Sequence, residues 1–356
     1  LTGTLTTNSC GGSIAGIVSV GPTGTYSNIT NALLAINASG VASNTILELQ
    51  AGYDATTETY PITFPSNPCV SGLKTITIRP ASGVSSVLSI SSSNGTATID
   101  FNGSSYITID GRPGGIGSAK MISIVNTSAT GVAVRYINDA SYNTLKYCDV
   151  QGQNTSATSS ALSGVIYFSS AHATLLNGND NNTISYCDIH ATATGNPAIG
   201  VCSFGNSVSA PTLAWNENNT IDHCNIYDFF SATLASTAVK LDGGSHAFTI
   251  SNNRIYQTAT RTYTTANQHR AFWLTPTATG ACGYQVIGNF IGGADSTGSG
   301  VWTLAGAVAT NFWGMDINHT GNIPTSVQGN TITNISLTST TTTANDLFRG
   351  ISTGST

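Results

Sequence analysis

The sequence predicts an all-β chain wound as a right-handed parallel β-helix, a solenoid with a short capping helix at its N-terminal end. Three observations predict it: a motif that returns with the same residues in the same slots, a second apolar run that alternates with it, and a composition with ample core and little charge. Asn143-Thr-Leu-Lys-Tyr-Cys148-Asp-Val150 aligns with Asn182-Thr-Ile-Ser-Tyr-Cys187-Asp-Ile189 and Asn219-Thr-Ile-Asp-His-Cys224-Asn-Ile226. Self-similarity at such a period marks stacked structural repeats. Asn then takes the Cys slot in Ile250-Ser-Asn-Asn253-Arg-Ile255, Ile287-Gly-Asn289-Phe-Ile291 and Val327-Gln-Gly-Asn330-Thr-Ile332. Loops of changing length between fixed strands account for the uneven intervals.

The second run appears as Val132-Ala-Val134-Arg-Tyr136, Gly164-Val-Ile-Tyr-Phe168, Ala271-Phe-Trp-Leu274, Phe312-Trp-Gly-Met315 and Leu347-Phe-Arg-Gly-Ile351. Each repeat thus offers at least two short β-rich runs bounded by Asn, Gly, Ser and Asp turns. Neither run buries its apolar face alone. Stacking in parallel, about 4.8 Å per coil, buries both and places like residues in columns. Cys148, Cys187, Cys224, Asn253, Asn289 and Asn330 then form one structural ladder at the turn after the strand. An antiparallel sandwich would not ask for the same residue in the same slot.

At the N-terminus, Ile29, Ala32, Leu33 and Ile36 have helical spacing. Ser27 or Thr25 is the expected cap and Gly40 the expected stop. This short amphipathic helix suits the atypical terminal unit that a solenoid needs. Three regions are expected: residues 1–24 as an extension and candidate donor strand, 25–96 as the capping helix and first coils, and 97–356 as continuous repeats. No comparable cap is visible at the C-terminus, so that end is expected to continue in a longer chain or to meet a partner. The absence of a signal segment reads as a mature or excerpted chain.

Charged residues are only 8% of the chain, against about 25% in ordinary globular proteins. Hydrophobic residues reach 40%, and with Ile, Val, Tyr and Phe among them the chain is not a disordered one. The net charge is −5, and no basic run exists to follow a phosphate backbone, which argues against nucleic acid. No apolar stretch approaches the length of a membrane span. Seven cysteines are an odd number, so at least one is free or pairs between chains. Cys10 and Cys69, outside the repeat motif, are a candidate disulfide.

The Asn-Thr-Ile-x-x-Cys-Asp-Ile repeats, the opening Gly21-Pro-Thr-Gly-Thr-Tyr-Ser, Thr75-Ile-Thr-Ile-Arg-Pro80 and Ile107-Thr-Ile-Asp-Gly-Arg-Pro113 carry a resemblance. Across nearly its whole length the chain resembles the pectate-lyase-like parallel β-helix repeat proteins of bacteria that use the type IX secretion route. The resemblance implies an extracellular, cell-surface or secreted location and assigns no chemistry. It also implies a C-terminal sorting domain, which this sequence lacks; removal on export or excerpting fits that departure.

Catalysis finds few candidates. Asp149 and Asp188 are expected to point outward one coil apart, but Asn225 follows them and ends the charge. Their column reads as a solvated face first and as a weak Ca²⁺ or sugar contact second. A lyase would need a carboxylate cluster for Ca²⁺ with a basic residue nearby, and a hydrolase two converging carboxylates. Lys146 is expected on the same strand as Asp149, yet Ser185 and Asp222 replace it in later coils. The spacing of His and Cys predicts no metal centre, and no cofactor is expected. Trp273 and Trp313 are expected to face outward in one column, as glycan contacts or as rings covered by loops. Asp295-Ser296-Thr297 resembles the O-glycan acceptor of these bacteria at Ser296. No regular Thr-x-Thr column is visible, which weakens a reading as a crystal-surface binder.

The expected function is therefore an extracellular structural or adhesive protein that self-associates head to tail or binds surface glycans, with a polysaccharide lyase or hydrolase as the alternative. Leu1, Leu5 and Ile351 are the candidate subunit contacts.

Overall fold

The chain forms a parallel β-helix in a computed structural model that describes residues 10, 12–169, 178–205, 215–275, 282–319, 323–340 and 347–355. Three long sheets make its walls. The first has ten strands, from Ile14–Val20 to Ser326–Gln328; the second has eight, from Leu88–Ser92 to Thr331–Ile332; the third has nine, from Ile62–Pro65 to Phe348–Ser355. A typical coil visits them in order, as Thr144–Lys146, Cys148–Gly152 and Ile166–Ser169. Neighbouring strands pair in parallel with their counterparts one coil away. Ten coils at about 4.8 Å give a rod about 50 Å long.

The repeated motif is two strands, not one. Thr144–Lys146 belongs to the first sheet and Cys148–Gly152 to the second, with a corner between them at Tyr147, whose φ is 51°. The same left-handed corner returns at Tyr186, His223, Asn252, Gly288 and Gly329. A matching corner precedes the strand at Tyr106, Tyr142, Asn181, Asn218, Ala247 and Gly283. This conformation costs a non-glycine residue roughly 1–2 kcal/mol. Stacked corner rings give some of that back: Tyr147 lies 4.7 Å from Tyr186, and Tyr186 4.8 Å from His223. Lys146 and Asp149 therefore lie on different walls rather than on one strand.

Helix α1 spans Ile29–Ser39 and lays Ile29, Ala32, Leu33 and Ile36 over the N-terminal end of the core. Its cap is Asn28, not Ser27 or Thr25: Asn28 Oδ1 accepts the Asn31 N–H at 2.8 Å. The Glu58 carboxylate takes the N–H groups of Ile29 and Thr30 at 2.6 and 2.8 Å, satisfying two more of the donors a helix start leaves open. Gly40, at φ 73°, ends the helix as expected. Residues 1–24 are not wholly an extension, because strand β1 (Ile14–Val20) pairs with β2 (Val41–Leu49) as the first rung. The boundary drawn at residue 97 also dissolves, since Ile62–Pro65 pairs directly with Ala97–Asn102.

Inside, like residues stack. One column of the third sheet runs Ile62, Ile99, Val134, Ile166, Val201, Val239, Phe272, Met315, Ile351. Beside it Phe64, Phe101, Tyr136 and Phe168 stack at centroid spacings of 5.3, 4.8 and 4.3 Å. The third sheet approaches the second closely at Gly200 and Gly314. A Cβ at Gly200 would lie 2.7 Å from the Ile226 side chain, and one at Gly314 2.6 Å from Ile332.

Candidate functional site

The predicted ladder is one continuous column, buried from Cys148 to Asn289 and half-buried at Asn330. The Cys148, Cys187 and Cys224 thiols donate to the carbonyls of Lys146, Ser185 and Asp222 at 3.3–3.4 Å. Burial pushes the Cys148 and Cys224 thiols well up, which keeps them protonated and unreactive. From there amides take over. Asn253 Oδ1 accepts the Cys224 N–H at 2.8 Å, Asn289 Oδ1 accepts the Asn253 N–H and Nδ2 at 3.0 and 2.9 Å, and Asn330 Oδ1 does the same for Asn289. A second ladder, Asn143–Asn182–Asn219, repeats this geometry on the other side of the first sheet. Sequence reasoning missed its role although the signal was present, since Asn opens each of the three repeats. Cys10 and Cys69 are joined in a disulfide with Cα atoms 5.0 Å apart.

Asp149 and Asp188 are in register and outward on the second sheet, with Asn225 and Arg254 next in the column. Both oxygens of Asp149 and Oδ1 of Asp188 are already engaged. Asp149 accepts from Ser123 at 2.8 Å, Gln151 at 2.6 Å and His190 at 2.7 Å. Asp188 Oδ1 takes Lys120 Nζ at 2.5 Å and Asn225 Nδ2 at 2.6 Å. Burial alone would raise the Asp149 carboxyl, but the hydrogen bonds from His190, Gln151 and Ser123 outweigh it and hold the group below the usual carboxylate range. A carboxyl held ionised in this way is a poor proton donor for glycoside cleavage. The adjacent column stacks His190, Tyr227 and Tyr256 at 4.5 and 4.7 Å. Among the described residues no group of three or more His, Cys, Asp or Glu is arranged to hold a metal ion.

Trp273 and Trp313 do point outward from the third sheet, but they do not share a column. Trp273 is in register with Lys240 and Asp316, and Trp313 with Arg270 and Arg349. Cations occupy their faces. The Arg270 guanidinium lies 4.1 Å from the Trp273 centroid and 4.9 Å from that of Trp313, with Lys240 and Arg349 at 4.1 and 4.4 Å. Arg270 is itself buried and bonded to Asp316 at 3.1 Å. The sugar-stacking platform expected here is thus filled by the protein's own side chains.

The first sheet presents a different face. Thr77, Thr108, Thr144, Thr183, Thr220 and Thr249 form one outward row through six consecutive coils. Their side-chain hydroxyls make no hydrogen bond to any other described residue. The neighbouring outward column pairs internally, Glu48 with Arg79 at 2.9 Å and Asp110 with Arg112 and Lys146 at 2.8 and 3.4 Å. Among the described residues of this face a single Thr row persists through six coils. Half of that row, Thr144, Thr183 and Thr220, follows the Asn that opens each aligned repeat; Thr77, Thr108 and Thr249 join it only through the register.

At the corner entering the first sheet, Asp180 is close to Glu217 and Asp139. Burial is the largest influence on its carboxyl. The Glu217 N–H opposes it at 2.7 Å, the charges of Glu217 and Asp139 add to it, and the group ends at about 7. A carboxyl raised in the folded state costs stability as pH climbs from about 4 to about 7, because the unfolded chain ionises first. Asp180→Asn is therefore expected to melt higher than the parent at pH 8, by the order of 1 kcal/mol after discounting partial exposure, and to match it at pH 4. Calorimetry at the two pH values checks this.

Ser296 is exposed on a turn held by Asp295, whose Oδ1 accepts the N–H groups of Thr297 and Ser299 at 2.8 and 3.1 Å. Leu1 and Leu5 lie outside the described residues. Ile351, the last member of its interior column, is 53% exposed, and Phe348 beside it 49%. Among the described residues no helix is long and apolar enough to cross a membrane. No family model matches the chain, and no curated protein matches it either.

Proposed function

We propose that this chain is a structural and adhesive element of an extracellular bacterial surface, a stiff rod that associates end to end with a second copy. The observation that carries the reading is the uninterrupted stack itself: three parallel walls of eight to ten strands around interior columns such as Ile62 to Ile351, with the outward carboxylates and tryptophans engaged by their own neighbours. The edge of a parallel coil is also the kind of surface that pairs with a strand of another chain. The Cys10–Cys69 disulfide supports an oxidising, extracellular setting. The repeat and N-terminal motifs resembling secreted β-helix surface proteins support export by the type IX route.

Light scattering over a range of concentrations tests the reading. The parent is expected to gain mass with concentration. Ile351→Lys, at a site already half exposed, is expected to stay monomeric with an unchanged melting temperature. Deleting residues 1–9, the candidate donor strand, is expected to weaken association as well. A parent that remains monomeric throughout, or an Ile351→Lys variant that associates like the parent, contradicts it.

A further inference from the structure

We propose that the outward face of the first sheet binds an uncharged polysaccharide laid along the rod axis. This deepens the adhesive part of the reading above by naming the site and the ligand class. Outward polar groups on the other two walls are largely consumed by one another, as in the Asp149–His190–Gln151 network and the Arg270–Trp273–Asp316 cluster. The Thr77–Thr249 row is not. Its six hydroxyls, one per coil at about 4.8 Å, have no partner among the described residues and can both donate and accept.

Charge on the same face selects the class of ligand. Glu48 cancels Arg79, and Asp110 is held between Arg112 and Lys146. Asp222 is engaged by Ser251, Asn252 and His223. The face thus carries balanced, internally paired charge, which complements a neutral chain better than an acidic or a basic one. Two ring ladders border the row, Tyr106–Tyr142 on one side and Tyr147–Tyr186–His223 on the other. Tyr142 and Tyr186 are 50% and 39% exposed and offer apolar edges with phenol tips, as a sugar with both C–H and O–H groups requires. Each hydroxyl only exchanges water for sugar, so a single contact gains little. Repetition over six coils supplies the affinity.

Depletion of the protein from solution by microcrystalline cellulose and by chitin, with polygalacturonate as the acidic comparison, tests this. Binding to at least one neutral polymer is expected and should survive about 1 M salt, where charge is screened within about 3 Å. Thr144→Val, Thr183→Val and Thr220→Val together remove three hydroxyls while keeping shape and strand preference. This variant is expected to bind at least about tenfold more weakly with unchanged melting and unchanged self-association. Serine at the same three positions is expected to bind as the parent does. Failure to bind either neutral polymer, binding confined to polygalacturonate or abolished by salt, or equal binding by the valine variant overturns the proposal. Because self-association is followed separately, its loss is distinguishable from loss of glycan binding.

Discussion

Replacing Asn182 by alanine is expected to remove about 3–5 kcal/mol of unfolding free energy, read as a fall in the urea midpoint. Asn182 is wholly buried. Its Oδ1 accepts both the backbone N–H and Nδ2 of Asn143 at 3.0 Å, and its Nδ2 donates to the Ala140 carbonyl at 2.8 Å. Alanine leaves the Asn143 N–H and the Ala140 carbonyl without these partners in a space that excludes water and takes one of two from Asn143 Nδ2, which keeps the Ser104 carbonyl at 2.9 Å; each buried orphan costs roughly 1–3 kcal/mol. The damage is local in origin but lies mid-rod, where neighbouring coils depend on each other for stability. A midpoint within experimental error of the parent's would show that the amide ladder is decorative.

Acid is expected to destabilise the rod through His269, independently of its carboxylates. His269 is fully buried among Phe229, Phe230, Tyr263, Trp302 and Phe312. Its Nδ1 meets the Tyr263 hydroxyl at 2.9 Å, while its Nε2 has no partner among the described residues. Burial, helped by the charge of Arg261, pushes the imidazole down to about 3. The unfolded chain takes up a proton below about 6.5, the folded chain does not, and so stability falls as pH drops from about 6.5 toward 3. At about 1.4 kcal/mol per unit, the loss from this group is roughly 3 kcal/mol by pH 4. His269→Phe retains a ring in the cage and leaves Tyr263 its contact with Ser236 at 3.1 Å. The difference in stability between pH 7 and pH 4 should therefore shrink by about that amount in the variant. Parallel pH profiles for parent and variant would contradict a neutral buried His269.

The winding of the chain was legible because the solenoid writes its period into the sequence. Cys148, Cys187 and Cys224 recur because consecutive coils return to one buried slot, which Leu88 and Ile122 fill before them and Asn253 and Asn289 after. The corners were not legible. Tyr147, Tyr186 and His223 adopt a left-handed backbone that sequence rules associate with Gly and Asn, so two strands read as one. Register in the third sheet was misread for a related reason. Matching the Phe-Trp pair 272–273 to 312–313 puts the tryptophans in one slot, whereas packing against the second sheet matches Phe272 to Met315. The small residue at Gly314, held by the close approach of Ile332, is the true marker. The threonine row was half legible: Thr144, Thr183 and Thr220 share a slot of the aligned motif, while Thr77, Thr108 and Thr249 lie in less similar coils and only the register joins them.

Electron microscopy of the protein concentrated under non-reducing conditions is the most direct test of end-to-end association. Unbranched filaments with an axial repeat near one rod length, about 50 Å, are the expected result. Isolated rods at every concentration would contradict it, and adhesion through the first-sheet face would then have to stand alone.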